Sequence, residues 1–127
     1  MTKFSNSRNL KLAATFTIGA EGSNAINTVI QISDRHNGGD LSEKVAIPWY
    51  LSSDAGGNVI SAAPQTGIAI GTDGLLIEWT NNVSGIVVSE DDGDIDLTIT
   101  DTGVATFYIN LIMPDGKVYT SGAITFA

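Results

Sequence analysis

The stretch that decides the fold is Asp94-Ile95-Asp96-Leu97-Thr98-Ile99-Thr100-Asp101-Thr102-Gly103-Val104-Ala105-Thr106-Phe107-Tyr108-Ile109-Asn110-Leu111-Ile112-Met113-Pro114-Asp115-Gly116. Ile95, Leu97 and Ile99 alternate with Asp94, Asp96, Thr98 and Thr100, which is the period of a half-buried strand. Asp101-Thr102-Gly103 reads as a corner. Ala105, Phe107, Ile109, Leu111 and Met113 then share one face of a second strand. Pro114-Asp115-Gly116 is a tight turn, because proline presets φ and glycine follows where the chain reverses. Val118, Thr120, Gly122, Ile124 and Phe126 form the predicted closing strand. The whole is an antiparallel meander.

Upstream, the same alternation recurs. Leu10, Leu12, Ala14, Phe16 and Ile18 share a face, as do Ile26, Thr28, Ile30 and Ile32, with residues 35–40 as the turn that follows. Val45, Ile47, Trp49 and Leu51 line a third strand. Pro48 on its other face predicts an edge position or a bulge, since proline donates no ladder hydrogen bond. Residues 52–58 read as a loop, and 59–63 and 67–70 as short edge strands. Thr72-Asp73-Gly74 turns into a strand carrying Leu75, Ile77 and Trp79. Asn81-Asn82 end it, and Ile86 to Ser89 resume extended structure. Strands this short and closely spaced leave no room for crossover helices, so the predicted fold class is all-β: one antiparallel sandwich over residues 10–127, preceded by a basic arm over 1–9.

Composition agrees. The chain has 127 residues with 43% hydrophobic and 16% charged side chains, which suits one domain with a closed core. Cysteine is absent, which excludes disulfides, thiolate metal sites and cysteine nucleophiles. The single histidine, His36, lies in a glycine-rich turn, and no Gly-x-Ser-x-Gly elbow accompanies it, so no enzymatic role is expected. No apolar run is long enough to span a membrane. The net charge of −8 disfavours nucleic acid. It is unevenly placed: Lys3, Arg8 and Lys11 stand in the first twenty residues without an acid. This arm reads either as a tether for an acidic partner or as a frayed terminus.

Glu90 to Asp96 holds five carboxylates in seven residues. Asp92, Asp94 and Asp96 are the candidate Ca²⁺ ligands, because calcium takes clustered oxygen donors, although the spacing is not that of an EF-hand. The alternative is a solvated acidic turn that keeps an edge from pairing. Glycosidase carboxylates would flank a cleft rather than share one turn. Trp49 is read as a core indole. Tyr50, Tyr108 and Tyr119 fall on the opposite alternation and are candidate interface anchors, or pack under loops.

Trp49 on the third strand, the run Leu97 to Phe107 and the Pro-Asp-Gly hairpin together resemble an immunoglobulin-like domain. The tyrosine-corner and cysteine positions hold Ala105 and Phe107, so the resemblance implies Phe107 in the disulfide's place against Trp49. The strings Ile47 to Gly57, Val88 to Thr98 and Gly116 to Phe126 resemble small proteins encoded among tailed-phage structural genes. That resemblance implies a virion component, an accessory protein of the head or tail; no cofactor is expected. The expected role is a capsid decoration or cement protein on the head surface that binds the major capsid protein or other virion subunits, with a homotrimer as one arrangement. The alternatives are a tail or head–tail accessory protein, and a host-surface or carbohydrate-binding adhesin module using loops 35–40, 53–58 and 90–94.

Overall fold

In the computed structural model, which describes residues 11–36 and 38–127, ten strands account for the regular structure. They are β1 (Leu12–Ile18), β2 (Ala25–Asp34), β3 (Ala46–Ser52), β4 (Gly67–Ile70), β5 (Leu75–Thr80), β6 (Ser84–Val88), β7 (Asp94–Thr100), β8 (Ala105–Ile112), β9 (Val118–Thr120) and β10 (Ile124–Phe126). All pair antiparallel, in a four-stranded sheet of order β1-β2-β7-β4 and a six-stranded sheet of order β10-β8-β3-β6-β5, with β9 beside β8. The protein is an all-β sandwich.

The alternation in the sequence accounts for the core. Ile95, Leu97 and Ile99 of β7 face Ile47, Trp49 and Leu51 of β3 and Ile109 and Leu111 of β8 in one buried cluster. Asp101-Thr102-Gly103 carries the chain from one sheet to the other, as a corner must. The six-stranded sheet holds the core residue Trp49, and β6 and β5 extend that sheet beyond β3. The chain reaches them in an unusual order. It leaves β3 for β4 at the edge of the opposite sheet, returns as β5 at the far edge, and only then lays β6 between β5 and β3.

Four expectations are corrected. β3 is a central strand, flanked by β6 and β8, and not an edge. Leu51 donates its amide to Val83 on the β6 side, so alternation turns the Pro48 nitrogen toward β8. The β3–β8 ladder begins at Trp49↔Leu111, one residue past Pro48, so the missing N–H falls at the end of that ladder and interrupts no pairing within it. Residues 59–63 form no strand; Ile60 makes a single bridge to Ser52. The closing strand is broken at 121–123. Ser121 donates its amide to the Ile109 carbonyl and accepts the Ile109 amide on Oγ. The break shifts the parity, so Val118 is exposed, Tyr119 packs against the core, and Ile124 and Phe126 are buried. Finally, Phe107 is buried but meets Phe126 edge-on, with centroids 6.0 Å apart; the register sets Leu111, not Phe107, opposite Trp49.

Candidate functional site

The sandwich sorts its loops to two ends. Residues 35–45, 71–74, 89–93 and 113–117 gather at one, and 19–24, 53–66, 81–83 and 101–104 at the other. All four basic side chains among the described residues, Lys11, Arg35, Lys44 and Lys117, are at the first end. Arg35 pairs with Asp115 there, tying the turn after β2 to the turn before β9. The Arg35 hydrogen bond, helped by the Lys117 amide, holds the Asp115 carboxyl below the usual range. Lys11 is exposed and its carbonyl accepts the Arg35 amide. Lys3 and Arg8 lie outside the described residues. His36 is exposed in the turn, its amide bound by Asp34.

The acidic run is split by the pleat and by its hydrogen bonds. Asp96 is buried and accepts the amides of Thr72 and Asp73, at 2.9 and 2.6 Å, and the side-chain amide of Asn27 at 3.0 Å. Burial pushes its carboxyl up, but these donors outweigh burial and hold it below the ordinary value. Gly71 makes this approach: a Cβ there would lie 2.2 Å from the Asp96 carboxylate. Asp96 therefore fastens the β4–β5 turn onto β7. Asp92 accepts the Asp94 amide within its own turn. Burial, and then the charges of Asp92, Asp73, Asp40 and Asp96, push the Asp94 carboxyl up. Asp92, Asp94 and Asp96 do not form a cage, and among the described residues no group of three or more acidic or histidine side chains is placed to hold a metal ion.

The three tyrosines are scattered. Tyr50 donates its hydroxyl to the Gly57 carbonyl at 2.7 Å and holds loop 53–58 over the outer face of β3 and β8. Under that loop Asn110 is fully buried, donating to Ser52 Oγ and accepting from Thr120 Oγ1. Tyr108 is half-buried. Tyr119 packs on the core with Lys117 over its ring. Of the loops in the adhesin alternative, 35–40 and 90–94 share one end, and 53–58 lies at the other. An open hollow of about 310 Å³ beside it is lined by Ser53, Ser61, Gln65, Asp101, Val104 and Phe107. Asp101 is committed within it, accepting the amides of Gln65 and Gly103.

The feature that sequence reasoning missed is on β5. Leu75, Ile77 and Trp79 are 56%, 46% and 62% exposed. Leu76, between them, turns inward onto the core. Period-2 alternation says that Leu75 and Ile77 share a face but not which face meets the core. The available signal was charge: from Val45 to Gly116 the sequence has no lysine, arginine or histidine, so the strands of that segment lack the usual cationic guard of an exposed edge. Among the described residues no helix is long and apolar enough to cross a membrane. No protein-family model matches the chain, and no curated protein matches it.

Proposed function

We propose that the protein is a non-enzymatic structural module that works by binding other protein subunits, and that its setting is the virion of a tailed phage, as a decoration or cement protein on the head. The observation that carries the binding reading is the apolar strip Leu75, Ile77 and Trp79 held exposed on a rigid sandwich. Exposed aromatic and aliphatic side chains on a fixed surface are what anchor protein interfaces. The phage setting rests on the resemblance of the three strings named above. A module that binds only the assembled lattice stabilises it by mass action, so many small copies reinforce a shell without chemistry. The basic residues Lys3 and Arg8, with Lys11, then serve as a tether to an acidic patch of the capsid.

The test is attachment. Purified protein added to heads that lack it should co-sediment with them and raise their disruption temperature. Deleting residues 2–9 should leave the thermal unfolding of the sandwich unchanged and weaken attachment, increasingly so as salt is lowered in the comparison. Binding to glycans with no binding to heads would replace this reading with the adhesin one.

A further inference from the structure

Among the described residues β5 ends the six-stranded sheet, with no strand beyond it. The hydrogen-bond parity follows from the register. Leu51 gives its amide to Val83, just ahead of β6, so Gly85 and Val87 bond to β3, while Ile86 and Val88 bond to β5. Their partners Ile77 and Leu75 are therefore satisfied on the inner flank, and Leu76 and Glu78 present their backbone N–H and C=O groups on the open flank. Above this flank stands the apolar strip. Leu75 and Ile77 sit beside Val88 and Ile86, and Pro48 follows Ile86 on β3.

Exposed edges are commonly blunted by lysine, proline or a bulge. β5 contains neither lysine nor proline, and its bulge lies between Glu78 and Thr80, after the regularly paired segment. The surrounding charge is of one sign: Asp73, Glu78 and Glu90 border the strand, Glu90 accepting the Gly74 amide at its start, and β4 to β6 with their turns carry no basic side chain. A second copy brought edge to edge would set these acids against themselves in a chain of net charge −8. An extended segment with alternating apolar side chains and lysine or arginine at its ends meets all three conditions: it pairs the free backbone, covers the strip and neutralises the border.

We propose that β5 is a docking edge for an extended, basic strand of a partner protein, which adds to the six-stranded sheet alongside Leu76 and Glu78 and lays apolar side chains on Leu75, Ile77 and Trp79. This deepens the subunit-binding reading and rests on it. The probe is a short synthetic peptide of alternating valine and threonine with two lysines at each end, added to the full chain. It should slow amide exchange at Leu76 and Glu78 and blue-shift the fluorescence of the exposed Trp79. Ile77→Lys and Trp79→Ser, each checked for unchanged unfolding, should weaken binding by about tenfold or more. The same peptide with glutamates for lysines should not bind. The proposal is overturned by unprotected amides, by equal binding of the glutamate peptide, or by indifference to both substitutions. It is also overturned if the protein alone dimerises in sedimentation with those two amides protected, because the occupant is then a second copy. Head attachment is measured separately. If Ile77→Lys still attaches to heads as wild type does, the docking edge falls and the subunit-binding reading stands. If wild type never attaches but takes up the peptide, the head assignment falls and the edge stands.

Discussion

Asp96 shows how a single carboxylate can be structural in a place that reads as a cation site. Its oxygens are already occupied by the Thr72 and Asp73 amides and the Asn27 side chain. Asp96→Ala leaves these donors without an acceptor and should cost about 2–3 kcal/mol in urea unfolding at neutral pH. Because the folded carboxyl lies below its unfolded value, that contribution is complete above about pH 4 and is lost as pH falls through the folded value. Wild type and variant should therefore converge in strongly acidic buffer. Asp94 has the opposite sign. Its carboxyl is pushed up, first by burial and then by the acids around it, so its ionised form opposes folding at neutral pH and this opposition is relieved as pH falls through the raised folded value. Asp94→Asn should raise Tm at pH 7, and the gain should fade below about pH 4; a gain independent of pH would rule out the charge explanation. The five carboxylates were legible in the sequence, but the separate roles of Asp94 and Asp96 were not. Those roles depend on Thr72, Asp73 and Asn27, which only folding brings beside Asp96.

Among the elements, β5 and β6 depend on one glycine. At Gly85 a Cβ would lie 1.9 Å from the Ile77 carbonyl oxygen and 2.8 Å from Glu78 Cα, where the strand bulges. Both obstacles are backbone and cannot swing aside. Gly85→Ala should cost about 1–3 kcal/mol and accelerate exchange along β5 before the rest of the sheet. In the sequence Gly85 falls between Asn81-Asn82, which end one strand, and Ile86, where extended structure resumes, and nothing local marks it as a point of close approach. Strand alternation was readable for β1, β2, β3, β7 and β8, because each turns one apolar face onto the core. It misled at residues 59–63, whose backbone finds only one bridge, and across β9 and β10, where the Ser121 side chain replaces a ladder bond and resets the parity. Pro48 misled for a related reason: its cost depends on where the neighbouring ladder starts, which local sequence does not encode.

For the molecule as a whole, stability rests on one core shared by both sheets. Phe107 joins it from β8, 5% exposed and edge-on to Phe126 of β10. Phe107→Ala should cost about 3–5 kcal/mol in equilibrium unfolding, and a loss below about 1 kcal/mol would mean that the sheets can close over the space. Its partner was not foreseeable from the resemblance to an immunoglobulin domain, which pointed to Trp49. The sequence alone determined that this chain is a sandwich of short antiparallel strands with an acidic, cysteine-free body. Side-chain period and turn chemistry are local, and each is complete within a few residues. Strand order, the central place of β3, the loop that buries Asn110 and the exposure of Leu75, Ile77 and Trp79 were decided by tertiary structure. Each depends on which strand lies next to which across long separations, and a period of two assigns side chains to faces without saying which face or flank another element will cover.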